Sequence, residues 1–357
     1  MQRAAFFTLL LWLIAIALAA WTLAQLPLAD ITHSISALSA VQWIFWLGLN
    51  ALIIVVLGLR WQLLTQALAA PVNLLKLLLI RQAGQAVSFI TPGPQFGGEP
   101  LQIYWLYKYG LPLRKAFLSL GLDRFFELWV NFSVLLLAVL LLLAGVGDTL
   151  QYETIKYDTI QYDIIKSNAI GDWQTALLPL LIFLGLMFLL AWVLVKQPQW
   201  INNRLERIAA RWQHNHRLNN INQHWQSLSD DLRTALRTQK IRFSLALLLS
   251  LLGWMGILGE LYLILRLVGI EADVHSFLII LVAMRMALLL PMPGGVGTLE
   301  ASVLWSFHTL GLPASAALGL IALMRVRDAI VLLIGLACLR ASASNTTNAQ
   351  TKSITET

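Results

Sequence analysis

Six charged residues fall at matching positions in two apolar stretches of this 357-residue sequence. They are Glu99, Arg124 and Glu127 in the first stretch and Glu300, Arg325 and Asp328 in the second. In each stretch the arginine and the acid that follows it are three residues apart and share a helix face. The planar guanidinium fork of arginine can donate two parallel hydrogen bonds to a phosphate. The six residues therefore form a candidate binding site for the anionic headgroup of a phospholipid.

The same residues admit a plainer interpretation, in which arginines and acids pair with one another and hold the chain together. A charge near the bilayer centre costs about 2.5–3.5 kcal/mol on insertion scales, and intramembrane charges commonly pair. Asp123 and Arg327 add charge within the same stretches. Arg81, Arg285 and Glu260 lie in apolar runs without a counterpart in the other stretch, and we expect them to support or pair with the site. The binding and pairing roles are compatible.

Two breaks rich in proline and glycine precede these charges. One reads Pro-Met-Pro-Gly-Gly-Val-Gly-Thr-Leu-Glu over 291–300, and the other reads Pro-Gly-Pro-Gln-Phe-Gly-Gly-Glu over 92–99. Such backbone is tolerated at membrane depth only beside protein or a water-filled cavity. Gly98, Gly294 and Gly295 are candidate binding residues because their backbone N–H groups could approach an anion. A tight turn, however, requires glycine without any ligand.

The two stretches are related by an internal repeat. A gapless shift of 201 positions (300 − 99) pairs Glu99 with Glu300 and Arg124 with Arg325. Ten of the 39 positions in 92–130 are identical to those in 293–331, including glycines and prolines. Matches of these residue types at one fixed offset indicate a duplication rather than chance similarity of apolar sequence.

The composition is that of a polytopic membrane protein. Hydrophobic residues make up 58% of the chain and charged residues 12%, against about 25% charged in a soluble domain. Long apolar runs, each near the ~20 residues needed to span, occur at 4–26, 40–59, 115–144, 175–195, 243–268 and 314–340. Two further apolar stretches are each interrupted by a break rich in proline and glycine, which leaves two pairs of shorter runs: 72–90 with 98–109 and 275–290 with 298–312. These pairs predict re-entrant hairpins, so the fold class is an all-α polytopic membrane protein with about six spanning helices and two such hairpins.

Loop charges orient these spans. The loop 196–242 holds nine Lys or Arg against three acids, whereas 145–174 holds five acids against two lysines. Basic residues also flank the first hairpin: Arg60, Lys76, Lys108, Arg114 and Lys115. If both termini are cytoplasmic, every basic loop lies inside and every acidic loop outside. The hairpins then enter from opposite sides, which makes the repeat inverted, and the expected location is the bacterial inner membrane.

We predict a single transmembrane domain over 1–341, followed by a disordered cytoplasmic tail over 342–357. One half covers about 1–144 and the other about 175–341. The 196–242 loop shows helical amphipathic patterns, which suit either a helix at the inner membrane surface or one packed on the protein. The apolar run at 4–26 is longer than the ~7–15 residues of a secretory signal, so a retained anchor is favoured over a cleaved peptide.

Several function classes receive no support. Cys338 is the single cysteine and the six histidines show no ligand spacing, so we expect no metal site and no cofactor. The net charge of +7 sits mostly in loops, where it sets topology rather than binding nucleic acid. The sequence contains no nucleophile, Walker or Rossmann motif, so we expect no enzyme of the soluble type.

The segment 291–300 resembles the Pro-x-Pro-Gly-Gly-x-Gly-x-x-Glu signature of the lysylphosphatidylglycerol synthase transmembrane-region family of flippase-like membrane domains. Gly98-Glu99 and the later Leu122-Asp123-Arg124-Phe125-Phe126-Glu127 are similar to that family's Gly-Glu and acid-Arg-x-x-acid elements, with the two acids exchanged. The resemblance covers about 40–340. It implies a lipid or glycolipid translocator. Some members carry a soluble aminoacyl-lipid synthase domain; because this chain ends at Thr357, we expect neither that domain nor lysyl transfer.

The expected function is movement of an anionic phospholipid or glycolipid between leaflets, by alternating access of a midplane cavity between the two hairpins. Arginines would hold phosphate, and the glutamates would gate, pair or carry protons. An ion-coupled transporter of a small anion remains an alternative. So does a non-transporting membrane partner of a lipid-modifying enzyme. The expected partners are membrane lipid and either a second copy of the chain or such an enzyme.

Overall fold

A computed structural model of the chain describes residues 38–91, 97–145, 178–189, 192, 228, 230–290 and 292–355, except for the side chains of 90, 293 and 341–355. Within these ranges the regular secondary structure is helical, as the all-α prediction requires. The helices are α1 (Ala40–Ala67), α2 (Leu74–Ile90), α3 (Glu99–Lys108), α4 (Leu113–Leu143), α5 (Leu178–Leu189), α6 (Lys240–Leu267), α7 (Val274–Ala287), α8 (Thr298–Thr309) and α9 (Ala314–Thr355).

Among the described residues, three helices are long and apolar enough to cross a membrane: α1, α4 and α6. They match the predicted spans at 40–59, 115–144 and 243–268. Helices α5 and α7 are apolar but shorter. The predicted span at 4–26 lies outside the described residues, as does most of each of the loops 145–174 and 196–242, whereas the predicted span at 175–195 is described over 178–189 and at 192. The predicted span at 314–340 lies within α9, whose bounds also take in most of the tail for which composition predicted disorder.

One boundary prediction is wrong. Sequence analysis treated Arg60 as a loop charge that ends the 40–59 span, but α1 continues past it to Ala67, and Arg60 is fully buried. A span read from hydropathy stops at its first charge. A helix does not have to stop there if the charge finds a buried partner, because pairing offsets much of the desolvation cost.

The helix ends follow local sequence signals. Helix α1 begins with a capping box in which the Ser39 hydroxyl accepts from the Gln42 N–H and the Gln42 side chain accepts from the Ser39 N–H. Asn73 and Asp273 cap α2 and α7 with their side-chain oxygens. These two caps stand 200 positions apart (273 − 73), so the repeat seen in the sequence extends to the way its helices start.

The helices recur in the same order in both parts of the chain. The starts of α6, α7, α8 and α9 follow those of α1, α2, α3 and α4 by 199–201 positions. The turn after α3 contains Gly110 with φ 92°, and the turn after α8 contains Gly311 with φ 65°. Each glycine is followed by Leu-Pro, and the leucine N–H donates to a carbonyl five residues earlier, that of Leu106 or Phe307.

The two parts pack against each other in a reciprocal way. Helix α1 packs along α6, α2 packs against α9, and α7 packs against α4. Gly253 and Gly256 allow the α1–α6 approach, because a Cβ atom there would lie 2.8 Å from Leu57 and 2.7 Å from Ile53. These two glycines therefore serve close helix packing, whereas Gly259 has no atom within 4 Å of its Cβ position. This packing brings the charged parts of α1, α2 and α4 together.

Candidate functional site

The first charged cluster lies where α1, α2 and α4 meet the start of α3, and it consists of Arg60, Arg81, Glu99, Asp123, Arg124 and Glu127. Asp123 is at its centre. Its Oδ1 accepts from Arg60 Nε at 2.8 Å, and its Oδ2 accepts from Arg81 Nη1 at 2.7 Å. The side chains of Arg60 and Asp123 are each only 1% exposed. A carboxylate at such depth requires this double pairing, since an unpaired buried charge is strongly destabilising.

The outer part of this cluster is more loosely satisfied. Glu127 Oε2 lies 3.2–3.3 Å from guanidinium nitrogens of Arg60, Arg81 and Arg124, and the Glu127 side chain is 35% exposed. Arg124 also lies 3.1 Å from a carboxylate oxygen of Glu99. That contact lacks hydrogen-bond geometry, so in the described structure neither Glu99 oxygen nor Arg124 Nε has a hydrogen-bond partner. The pair of Arg124 and Glu99 is therefore the weakest link of the cluster.

The second charged cluster links α6, α8 and α9 and consists of Glu260, Glu300, Arg325, Arg327 and Asp328. Arg325 Nε donates to Glu300 Oε1 at 2.7 Å, and its Nη1 donates to Asp328 Oδ2 at 3.0 Å. Arg327 Nη1 lies 3.1 Å from both oxygens of Glu260, and its Nη2 donates to Asp328 Oδ1 at 3.1 Å. Each acid in this cluster accepts at least one charged hydrogen bond.

The glycine turn before α8 is tied to this second cluster by its carbonyl groups. The guanidinium of Arg325 donates to the Gly294 and Gly295 carbonyl oxygens at 3.3 and 3.4 Å. The N–H of Gly295 donates to the Met292 carbonyl, and the N–H of Gly297 donates to Glu300. Gly294 and Gly295 have φ values of 58° and 63°, which explains glycine there without a ligand. Their predicted role in binding an anion stays a prediction.

Gly98, the third glycine in the candidate site, lies at a close approach between helices. Its N–H donates to Ser88 Oγ at 2.8 Å, and a Cβ atom at this position would lie 2.0 Å from the Gly84 carbonyl oxygen. A side chain would therefore separate α3 from α2. The geometry accounts for the glycine by packing.

A cavity of about 570 Å³ lies beside the first cluster, between α1, α4, α5, α6 and the end of α7. Its polar wall consists of Arg60, Arg124, Glu127, Asn131 and Arg285. The remaining wall is apolar and consists of leucine, isoleucine, phenylalanine, methionine, proline and tryptophan side chains. The cavity lining therefore combines three arginines and one carboxylate with a larger number of hydrocarbon side chains.

The predicted site residues divide between the cavity and the clusters. Arg124 and Glu127 line the cavity, and Glu99 contacts Arg124 behind it. Glu300, Arg325 and Asp328 do not line it; they form the second cluster instead. The six residues expected to form one site thus form two separate ion-pair clusters, one of which faces a cavity. Within the described part of the chain, no three His, Cys, Asp or Glu residues are placed to hold a metal ion.

Comparison with known proteins adds a family to this geometry. The sequence matches the lysylphosphatidylglycerol synthase TM region over residues 8–335. The chain belongs to that family. A UPF0104 membrane protein of Methanothermobacter thermautotrophicus is 32% identical over 93 residues, which is 26% of this chain and 27% of that relative. The alignment thus spans about a quarter of the relative's length. No solved structure matches the chain.

Within this member of the lysylphosphatidylglycerol synthase TM region family, sequence reasoning missed three residues of the cavity wall. Arg60 was taken for a loop residue, and Asn131 and Trp254 were not singled out. Arg285 was expected to support the site or pair with it; its guanidinium carbon lies 4.6 Å from the centre of the Trp254 ring, and no carboxylate of the described residues pairs with it. The usable signal was a charged residue within a continuous apolar helix pattern, which applies to Arg60 and Arg285 alike.

Proposed function

We propose that this protein moves an anionic lipid, a phospholipid or glycolipid, between the leaflets of its membrane. The observation that carries the proposal is the cavity, because its arginines suit an anionic headgroup and its many apolar lining residues suit the hydrocarbon attached to it. A volume of about 570 Å³ lies within the range of about 300–1,000 Å³ common for ligand sites. The largely apolar wall favours an amphiphile over a small hydrophilic anion.

In this proposal the charged residues that line the cavity do the binding. A phosphate oxygen near Arg124 would compete with Glu127 for the same guanidinium donors, and Glu127 is exposed enough to yield its place. Glu127 would thereby gate the site or carry a proton when displaced. The second cluster would hold the glycine turn in place while the first exchanges partners. Alternating access then requires that α1, α4, α6 and α7 open the cavity to one leaflet at a time.

We further propose that the two halves form an inverted repeat with two re-entrant hairpins, α2–α3 and α7–α8, in the inner membrane of a bacterium with both termini cytoplasmic. Three observations support it: the matching helix order, the reciprocal packing of α2 on α9 and of α7 on α4, and the broken backbone before α8. Inverted repeats with discontinuous helices are a common transporter arrangement.

The turns after α1 and α6 test this topology directly. Pro71 and Glu271 are exposed at equivalent places, 200 positions apart, and the inverted repeat puts them on opposite sides of the membrane. Each would be replaced by cysteine in a Cys338→Ala background. An impermeant thiol reagent on intact cells is expected to label position 271 and not 71. Labelling of both turns from the same side would refute the inversion.

Reconstitution tests the transport proposal. Proteoliposomes would carry tail-labelled phosphatidylglycerol or phosphatidylcholine, and an impermeant quencher would report label that reaches the outer leaflet. Wild-type protein is expected to translocate phosphatidylglycerol faster than phosphatidylcholine. Arg124→Lys should slow it about tenfold or more, because lysine keeps the charge and loses the bidentate fork. Arg266→Lys is the matched control, since Arg266 pairs with Glu271 at the exposed end of α6.

Three outcomes would speak against lipid translocation. Equal rates for both lipids would show that headgroup charge is not recognised. Uptake of soluble phosphate without lipid movement would favour a small-anion transporter. No translocation by purified protein, together with loss of a modified lipid in cells that lack it, would favour a partner of a lipid-modifying enzyme.

A further inference from the structure

Arg285 differs from every other arginine that faces the cavity. Arg60 donates to Asp123 and Glu127, and Arg124 donates to Glu127. No described residue accepts a hydrogen bond from the Arg285 guanidinium, which lies over the Trp254 ring instead. Arginine carries five N–H donors, and a folded protein rarely leaves such donors without a partner when they are shielded from bulk water.

The acids nearest to Arg285 are already engaged. Glu260 lines a small neighbouring pocket together with Arg285, but both of its carboxylate oxygens lie 3.1 Å from Arg327. Glu127 shares the large cavity with Arg285, but its Oε2 lies within reach of three other arginines. Arg285 could take either acid only by breaking an existing pair. Its donors are thus left for something that enters the cavity.

The contact with Trp254 fixes how Arg285 can bind. A guanidinium over an indole ring uses its face, which leaves the edge N–H groups in the plane free to donate. Trp254 is 6% exposed and packs in α6, so it is a rigid platform for the guanidinium. The planar fork of arginine can donate two parallel hydrogen bonds to two oxygens of one phosphate or carboxylate group.

We propose that Arg285 is the primary ligand-binding residue of the cavity and receives a singly charged phosphodiester or carboxylate group whose apolar part lies along the hydrocarbon wall. Arg60 and Arg124 also line the cavity and would form further contacts with the same anion. This assignment rests on the proposed lipid function and names the recognising residue. It also predicts selection against zwitterionic headgroups, because their cation would meet a wall that carries three arginines and one glutamate.

Binding can be measured without transport. The full chain in a neutral detergent would be titrated by calorimetry with dihexanoyl phosphatidylglycerol, dihexanoyl phosphatidylcholine and inorganic phosphate. Wild-type protein is expected to bind the phosphatidylglycerol more tightly than the phosphatidylcholine. Arg285→Gln should weaken that binding about ten- to a hundredfold, the cost of a charged hydrogen-bond pair. Arg266→Gln, the matched control at the exposed end of α6, should bind as wild type does.

Stability separates a ligand-binding role from a structural one. Without ligand, Arg285→Gln is expected to unfold within about 4 °C of wild type, because no hydrogen bond of the described structure is broken. Arg327→Gln should unfold at a clearly lower temperature, since Glu260 and Asp328 lose their partner. If Arg285→Gln does not fold, Arg285→Lys takes its place: it should fold and still lose the fork-dependent part of the affinity.

The possible results of these binding and stability measurements fall into three groups. Unchanged phosphatidylglycerol binding by Arg285→Gln, equal binding of both lipids by wild type, or a large loss of ligand-free stability in both Arg285 variants would overturn the assignment. Phosphate that binds as tightly as phosphatidylglycerol and competes with it would make the ligand a soluble anion, and the lipid assignment would fail. Lipid binding that depends on Arg285, in a protein that translocates nothing in vesicles, would retain this site and refute the transport proposal alone.

Discussion

The two charged clusters begin from the same residues and end in different arrangements. In the first, Arg124 contacts Glu99 without hydrogen-bond geometry. In the second, the equivalent Arg325 donates to Glu300, and the other Glu300 oxygen accepts the Gly297 N–H. Repetition of a sequence pattern therefore does not repeat its hydrogen bonding. The second cluster clamps the glycine turn, and the first borders the cavity with a pair that is free to rearrange.

The difference follows from the neighbours of each cluster. The first contains Asp123, which receives Arg60 and Arg81 and is buried deeply. The equivalent position in the second half is Met324, so no acid occupies the corresponding centre. The residues that differ between the halves thus decide which cluster holds the fold at its core and which holds a turn.

The largest effect is expected at Asp123. Asp123→Asn removes the deeply buried carboxylate that pairs with both Arg60 and Arg81, and should lower the free energy of unfolding by about 3–5 kcal/mol. Denaturant unfolding in detergent micelles would measure it. Asp231→Asn is the control: its pair with Arg114 is partly exposed, and the loss should stay below about 1 kcal/mol. Similar losses of unfolding free energy in both variants would mean that burial of the first cluster adds nothing to its contribution to stability.

The next effect compares the two equivalent arginines. Arg325→Gln removes hydrogen bonds to Glu300, Asp328 and two turn carbonyls, and should cost about 3 kcal/mol or more. Arg124→Gln should cost at least about 1 kcal/mol less, because Glu127 keeps two other arginines. The same unfolding measurement applies. A larger loss at Arg124 than at Arg325 would reverse the roles that we assign to the clusters.

A smaller effect is expected in the turn that the second cluster clamps. Gly294 has a φ of 58°, and a Cβ atom there would lie 2.7 Å from the Phe89 ring. Gly294→Ala should therefore destabilise the protein by about 1–2 kcal/mol through backbone strain alone. Thermal unfolding and the yield of membrane-inserted protein would be measured together. Wild-type stability in this variant would show that the turn can accommodate a side chain at this position even though Arg325 still binds its carbonyl groups.

The smallest effect is expected from substitutions at Gly58 and Gly259, which occupy equivalent positions in the two halves of the repeat. A Cβ atom at Gly58 would lie 2.4 Å from Leu78, whereas the Cβ position at Gly259 is open. Gly259→Ala should stabilise the protein by about 0.5–1 kcal/mol, as alanine does in a helix interior. Gly58→Ala should destabilise it by about 1 kcal/mol or more through overpacking. Shifts of the same sign would contradict the different environments of the two glycines.

Much of the fold can be predicted from sequence. The helix–break–helix pairs expected at 72–90 with 98–109 and at 275–290 with 298–312 agree closely with α2–α3 and α7–α8. Local rules produce this agreement, since hydrophobic runs, caps, prolines and glycines act within a few residues. The pairing of Arg124 with Glu127 and of Arg325 with Asp328 follows from helix spacing in the same way.

The extent of α1 was harder to predict because it depends on residues far along the chain. Arg60 stays in the helix since Asp123, 63 positions later, meets its guanidinium. No local pattern contains that information. The surroundings of each candidate site residue were hard to predict for the same reason: the contact of Arg325 with the Gly294 and Gly295 carbonyl groups depends on backbone geometry.

The sequence by itself determined the membrane class, the repeat, the breaks and the residue types able to hold an anion, because each of these is written in composition and short-range spacing. The tertiary structure decided which charges meet. Helix packing separated the six repeated residues into two clusters and placed the first of them, but not Glu300, Arg325 or Asp328, beside the cavity of about 570 Å³. It also left Arg285 against Trp254 with unused donors, since every nearby acid is held by an arginine that packs closer.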